Sequence, residues 1–286
     1  MNKNLKKIAK KRFTKRSLRV FSRHPSHDVL RQNKLFLPGL VLIRFGSQTA
    51  GTEQYDLELN KPEAVRISSN KLRMKTAFTA HEVPTADWWT ASNREFISPN
   101  GDNDCNVDTL PYPIVSKHIY GSRGEGNTLI KNIEEMNAFL ERRGNNLEMY
   151  IFEKYYNYNR EYRLHVTEDG CFYTCRKMLK SDTPEDQRWY RNDANSVWIV
   201  EENEQFDKPT NWNDVVEASV KALKATGLDF GAVDLRIQSA RTEKNGVREN
   251  PKFIVVEINS APSFGEITYE KYKAEISRIV NKKLSK

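Results

Sequence analysis

The strongest constraint on the fold is a carboxylate inside a short apolar run. Residues 254–258 have the composition of a buried strand, yet Glu257 lies within the run and Asn259 follows it. Side chains on a strand alternate between its two faces, so Glu257 and Asn259 share one face. A buried carboxylate is stable only when it is paired or bound to metal. The run therefore indicates either an edge strand with Glu257 in water or a site for a hard cation.

A second acid favours the cation site. Asp234 lies in the apolar run 230–237, and the polar segment 238–252 has the composition of a hairpin connection. Folded as a hairpin, the two runs place Asp234 beside Glu257 and Asn259. Carboxylate and amide oxygens are ligands that Mg²⁺ takes together with waters and phosphates. The three residues predict a magnesium–phosphate site.

Composition excludes several other classes of protein. The chain has 286 residues, of which 38% are hydrophobic, and we expect no membrane span and no secretory signal. Its three cysteines are an odd number without metal-ligand spacing: Cys105, Cys171 and Cys175. This pattern predicts free thiols in a reducing, cytoplasmic compartment.

The net charge of +8 is concentrated at the N-terminus. Residues 1–34 hold twelve Lys and Arg and one acid, whereas the rest of the chain holds 34 basic and 37 acidic residues. This basic arm is open to three interpretations: a solvated tail, a mitochondrial presequence richer in lysine than is usual, or an arm that grips nucleic-acid phosphates. Its apolar residues have near-helical spacing and predict an amphipathic helix: Leu5, Ile8, Ala9, Phe13, Val20 and Phe21.

Periodicity elsewhere predicts alternating strands and helices of the α+β class. Strands are predicted at 40–45, 112–119, the end of 120–130, 147–156 and 160–179, the last with a turn at Asp169-Gly170. Helical turns are predicted within 61–89, with Ser68 or Ser69 as N-cap and Pro84 as the end, and helices at 132–144, 211–228 and 269–284. Residues 93–111 have the composition of a loop.

A glycine-rich loop follows the strand at 112–119. Lys117 lies at the end of this strand, and the loop contains Gly121, Ser122, Arg123, Gly124 and Gly126. Glycines let backbone N–H groups approach phosphate oxygens. The loop lacks the Gly-Lys-Ser/Thr sequence of a P-loop, so by itself it is a weak signal.

Five segments taken in order are far more specific. "NKLRMK", "YPIVSKHIYGSRGEG", "FEKYYNYNREYRLHV", "LDFGAVDLRI" and "VVEINSAPSF" resemble the motifs of the ATP-grasp superfamily, over about residues 68–264. This superfamily includes D-alanine–D-alanine ligase and the ribosomal-protein glutamate ligases. The resemblance implies an α+β fold in which two subdomains grip ATP and Mg²⁺. His118 departs from the family's proline, and Ser260 and Ser263 from its threonine and glycine.

The resemblance also implies roles for individual residues. Lys71 and Lys117 would hold the nucleotide phosphates, and the loop 121–126, with Gly121, Ser122, Gly124 and Gly126, would cover them. The adenine would be bound by the Glu153 carboxylate and the backbone of Lys154 and Tyr155, and the ribose by Glu161. Asp234, Glu257 and Asn259 would carry Mg²⁺. Phosphate or substrate cations would be Arg163, Lys177 and Arg191.

The resemblance divides the chain into four parts. They are the basic arm 1–34, a front segment 35–67, a lid subdomain 68–150 and a metal-binding subdomain 151–286. The front segment is predicted to be one strand and a loop, too short for the acceptor-binding domain that usually precedes the first lysine.

Two enzymatic functions and one non-catalytic function remain open at this stage. Because of the basic arm and the short front segment, we favour a polynucleotide ligase like those of some bacteriophages, joining RNA or DNA ends. Its lysyl-AMP would form on Lys117, or else on Lys71 or Lys177. The alternative is a carboxylate–amine ligase that forms ADP through an acyl phosphate. An ATP-gated binding module is the non-catalytic possibility, which the metal triad disfavours.

Overall fold

The computed structural model describes residues 18–285, except positions 23, 33, 34, 36, 123, 125, 145, 243 and 245. The amphipathic helix predicted from Leu5 to Phe13 lies outside the described residues. Within these ranges the chain forms three β-sheets and six α-helices. No described helix combines the length and apolar character that a bilayer span requires.

The elements alternate along the chain. The strands are β1 Leu18–Ser22, β2 Val41–Phe45, β3 Leu57–Leu59, β4 Trp88–Ser92, β5 Glu95–Ile97, β6 Cys105–Asn106, β7 Ile114–His118, β8 Thr128–Ile130, β9 Tyr150–Lys154, β10 Arg160–Thr167, β11 Gly170–Leu179, β12 Ser196–Val200, β13 Phe230–Ile237 and β14 Phe253–Asn259. The α-helices are α1 Asp28–Gln32, α2 Pro62–Ser68, α3 Lys71–Ala80, α4 Ile133–Arg143, α5 Trp212–Thr226 and α6 Glu266–Leu284.

The front of the molecule is a parallel sheet of three strands in the order β1-β2-β3. This unit is larger than the one strand and loop predicted from the sequence, because β1 lies inside the basic arm and pairs with β2 along its whole length. Val20 of β1 is buried, so it belongs to the core and not to an exposed amphipathic helix. Helix α6 covers the sheet with Tyr272, Ile276 and Val280.

The central sheet is antiparallel, in the order β12-β11-β10-β13-β14. One face packs on α2, α3 and α5 through an apolar core that includes Tyr162, Leu164 and Leu235. The alternate residues point to the opposite face, where polar side chains collect. The predicted hairpins β10–β11 and β13–β14 are both present.

The third sheet has the order β6-β5-β4-β9-β7-β8 and packs on α4. Here the structure corrects one prediction, because residues 93–111 contain β5 and β6. The helical region within 61–89 ends at Ala80, four residues before the predicted end at Pro84. That region is two helices, and the cap of α3 is Asn70, whose side chain accepts from the Arg73 N–H at 2.9 Å. Asn132 and Gly144 bound α4 as predicted, and Gly227 ends α5 in the left-handed conformation that favours glycine.

Buried polar contacts join the three sheets. Asn60, which has φ 54°, is fully buried and donates to the carbonyl of Phe230 at the start of β13. The N–H of Val255 donates to the carbonyl of Pro84 at 2.7 Å, which ties β14 to the segment before β4. The first contact joins the front sheet to the central sheet, and the second joins the central sheet to the chain that enters the third sheet.

Candidate nucleotide and metal site

The predicted acids meet on two neighbouring strands. Asp234 and Glu257 are directly opposite in the β13–β14 register, and Asn259 lies two residues further along β14. The Asn259 amide nitrogen is 3.1 Å from an Asp234 oxygen and 3.3 Å from a Glu257 oxygen. The placement inferred from strand period is therefore present, while metal binding stays a prediction.

The donor chemistry of this group fits Mg²⁺. Two carboxylates and an amide carbonyl supply hard oxygen ligands, and Mg²⁺ completes its octahedron with waters and substrate phosphates. In the described part of the chain, no three His, Cys, Asp or Glu side chains form a metal cluster by themselves.

Arg163 of β10 lies directly across from Asp234. Its Nε and Nη2 donate to the two Asp234 oxygens at 2.7 and 2.8 Å, which is the bidentate geometry. Burial opposes the charge of Arg163, but Asp234 outweighs it and raises the pKa of the guanidinium. The guanidinium also lies 4.7 Å from the ring of Trp198, and the Lys177 ammonium lies 5.1 Å from the same ring.

A second group of charged residues consists of two lysines that contact one buried carboxylate. Lys117 Nζ is 2.8 Å from Glu153, and Lys75 Nζ from α3 is 3.3 Å from it. Burial lowers the pKa of Lys75 to about 8, although Glu153 opposes the shift. Burial alone would raise the pKa of Glu153, but the two ammonium groups outweigh it and lower the pKa.

Lys71 lies between the acidic group and the glycine-rich loop. It begins α3, donates to the carbonyl of Gly121 in the glycine-rich loop, and lies 3.9 Å from a Glu257 oxygen. Burial lowers its pKa, and Glu257 opposes the shift. Gly124 and Gly126 have φ of 78° and 75°, which side chains with a Cβ rarely adopt, so the loop requires glycine at both positions. Ser122 belongs to the same loop, and Arg123 lies outside the described residues.

The residues predicted to bind adenine and ribose are engaged within the protein. The Lys154 N–H donates to the carbonyl of Asp87 and the Tyr155 N–H to that of Pro113, both at 2.9 Å. These two N–H groups are therefore already used in backbone hydrogen bonds. Only other atoms of the segment are available to bind adenine. Glu153 is held by the two lysines.

Glu161 is likewise surrounded by arginines. It accepts from Arg236 at 3.2 Å and lies 3.5 Å from Arg191. Lys177 donates to the Arg191 carbonyl at 3.2 Å, so these four residues form one cluster. Burial lowers the pKa of Arg191. Arg163, by contrast, pairs with Asp234.

Sequence reasoning missed Lys75 and Trp198. Lys75 lies four residues after Lys71, so helical spacing could have placed both lysines on one face of α3. Trp198 lies in the apolar run 196–200, and period two places it on the polar face of the sheet opposite Lys177. No sequence signal linked that run to the site.

Comparison with solved structures identifies the fold. D-alanine–D-alanine ligase from Bacillus anthracis matches with a TM-score of 0.55 and 16% identity, over 90% of this chain and 80% of that chain. Carboxyaminoimidazole ribonucleotide synthase from Aspergillus clavatus, complexed with ATP, matches with a TM-score of 0.56 and 16% identity, over 89% of this chain and 63% of that chain. The ATP-grasp ligase PsnB, complexed with a minimal precursor, matches with a TM-score of 0.50 and 13% identity, over 78% and 63%.

The class defined by these matches and by the site is the ATP-grasp fold. It is an α+β fold, as the sequence predicted. Neither the comparison with protein-family models nor that with curated proteins found a match.

Proposed function

We propose that this protein is a Mg²⁺- and ATP-dependent ligase that activates a carboxylate with the γ-phosphate of ATP, joins it to an amine and releases ADP and phosphate. The position of Lys71 carries the proposal. One ammonium group contacts the glycine-rich loop at Gly121 and approaches Glu257 of the acidic group. A phosphate chain under the loop would therefore lie against the acids.

The chemistry of the residues supports each part of this site. Asp234, Glu257 and Asn259 would hold Mg²⁺, which neutralises phosphate charge when bound. Lys71 and Lys117 would bind phosphate oxygens as fixed cations. Structures with this fold include an enzyme solved with ATP and one whose name describes the joining of two amino acids.

ADP formation is favoured over transfer of AMP to a lysine. Lysyl-AMP formation requires a neutral amine as nucleophile. Lys117, the first candidate from sequence, is 9% exposed and its ammonium contacts the Glu153 carboxylate at 2.8 Å. Lys71 is engaged by Gly121 and Glu257. These contacts favour a role for both lysines as charged groups that would bind phosphates, and not as nucleophiles.

Hydroxylamine trapping tests the acyl phosphate directly. The protein is incubated with Mg²⁺, ATP, hydroxylamine and pools of amino acids or short peptides, and we expect ADP, phosphate and a hydroxamate from one pool. Glu257→Gln should abolish the product, whereas the exposed Glu148→Gln should retain it. ATP labelled at the α-phosphate should leave no label on the denatured protein; a covalent label would contradict the proposal.

One observation favours a second candidate, a polynucleotide ligase. Residues 1–17 contain eight Lys and Arg and no acid, which is the composition of a nucleic-acid-binding arm. In this case AMP would pass through a lysine to a 5′-phosphate end. A label on the denatured protein that is lost in Lys117→Arg would support this candidate and assign Lys117 as nucleophile.

A further inference from the structure

The two carboxylates among the predicted metal ligands are paired with cations of the same chain. Both oxygens of Asp234 accept from the guanidinium of Arg163. A Glu257 oxygen lies 3.9 Å from the ammonium of Lys71, and the N–H₂ group of Asn259 faces both carboxylates. The negative charges that would bind a dication are thus already paired with the positive charges of Arg163 and Lys71.

Arg163 is the strongest of these competitors. Its bidentate pairing uses the two oxygens that a cation would need, and charge-assisted pairs of this geometry are among the strongest hydrogen bonds in proteins. The Asp234 and Arg163 side chains are 14% and 20% exposed, so water screens their attraction only weakly. A bare cation would therefore compete with the guanidinium for the Asp234 oxygens.

Nucleotide phosphates change this balance because they offer the displaced cations new partners. Arg163 and Lys71 both flank the acids, and each can bind a phosphate oxygen in place of a carboxylate. The guanidinium also has a second partner in the ring of Trp198, 4.7 Å away, since an indole face attracts cations.

We propose that Arg163 is a positioning residue that competes with the divalent cation for Asp234, so that cation and nucleotide bind interdependently. This inference rests on the proposed nucleotide site. The coupling is reciprocal: the nucleotide strengthens cation binding by the same factor as the cation strengthens nucleotide binding. Removing the charge of residue 163 should create a cation site that no longer needs nucleotide.

Electron paramagnetic resonance of Mn²⁺ tests this without reference to turnover. We expect the wild type to bind Mn²⁺ weakly in the absence of ATP. In the presence of ATP its affinity for Mn²⁺ should rise by roughly 5–150-fold, the usual range of such coupling. In Arg163→Met, binding without ATP should be on the order of tenfold tighter than in the wild type, and most of the coupling should be lost. Arg236→Met is the matched control, because Arg236 pairs with Glu161, and its binding without ATP should equal that of the wild type.

The outcomes separate this inference from the proposed function. If Arg163→Met binds Mn²⁺ no more tightly than Arg236→Met while ATP still recruits Mn²⁺ to the wild type, the competition is refuted and the ligase proposal stands. If ATP recruits no Mn²⁺ to the wild type, the metal assignment itself fails. Should Arg163→Met not fold by circular dichroism, Arg163→Lys takes its place. Because lysine lacks the guanidinium fork, the Arg163→Lys protein should bind Mn²⁺ more tightly than the wild type in the absence of ATP. Unchanged binding would refute the inference.

Discussion

At the scale of single residues, the buried charges of this protein are paired between elements. Glu153 of β9 pairs with Lys117 of β7 and Lys75 of α3. Asp234 of β13 pairs with Arg163 of β10. Removing one partner of a buried pair typically costs about 3–5 kcal/mol, because the other charge is left uncompensated. The same residues therefore stabilise the fold and set the electrostatics of the site.

His165 should make stability depend on pH. Burial and the charge of Arg163 lower its pKa from 6.5 to about 3, and its Nδ1 contacts the Tyr272 hydroxyl at 2.9 Å. Between these two pH values the unfolded chain binds a proton that the native protein does not, so the free energy of unfolding falls as pH falls. Urea unfolding should show that the free energy of unfolding falls between pH 7 and pH 5 by about 2 kcal/mol less in His165→Gln than in the wild type.

The control for this experiment is His81→Gln, since His81 is exposed. It should lose as much stability between pH 7 and pH 5 as the wild type. Equal losses in His165→Gln and His81→Gln would show that His165 is not the buried neutral group responsible.

The residue types of the acidic group could be predicted because their chemistry is local. Period two places Glu257 and Asn259 on one face, and a hairpin brings Asp234 to them. The partners of Glu153 could not be predicted, because Lys75 approaches from a helix whose docking depends on tertiary packing. Charge alone does not distinguish a lysine that binds phosphate from one that pairs with a carboxylate.

At the scale of elements, the main correction concerns β1. Its residues carry part of the positive charge of the arm, and this charge concealed a five-residue strand that pairs with β2. The short strands β5 and β6 were missed because the polar residues of their connections dominate the composition of 93–111. The hairpins β10–β11 and β13–β14 and the helices α4, α5 and α6 were predicted, because each has sustained periodicity and a recognisable end.

Two truncations should separate the basic segment from the strand. Deleting residues 1–17 removes charge but no described element, and we expect the melting temperature to stay within about 2 °C of the wild type. Deleting residues 1–34 also removes β1 and α1 and exposes the apolar core under α6, including Ile43 and Phe45. This protein should aggregate or lose its cooperative transition. A cooperative transition at the wild-type temperature would contradict the assignment of β1 to the core.

At the scale of the whole molecule, the proposed site lies where the third sheet faces the central sheet. Lys117 and Glu153 come from the former and Asp234 and Glu257 from the latter, while Lys71 bridges them. A ligand bound between two sheets stabilises the arrangement of both. The two hairpins of the central sheet followed from sequence, but the arrangement of the sheets depended on contacts between residues more than a hundred positions apart.

Mg²⁺ and ATP together should therefore stabilise the protein against heat. A ligand that binds only the native state at 100 times its dissociation constant adds about 2.7 kcal/mol to the free energy of unfolding. Differential scanning fluorimetry should show a rise in melting temperature with both ligands and a smaller one with either alone. Asp234→Asn should lose the added effect of Mg²⁺. If ATP alone raised the melting temperature as much as Mg²⁺ and ATP together, the result would contradict a shared site for metal and phosphate.

The cover that α6 provides for the front sheet has a consequence for biosynthesis. Strands β1 to β3 leave the ribosome first, whereas the helix that buries their apolar face ends at Leu284. At typical rates of translation, roughly 10–45 s pass between the two events. During that interval the apolar side chains of Val41, Ile43 and Phe45 lack the cover that α6 provides in the folded protein. We therefore expect the nascent chain to aggregate more readily than the folded protein.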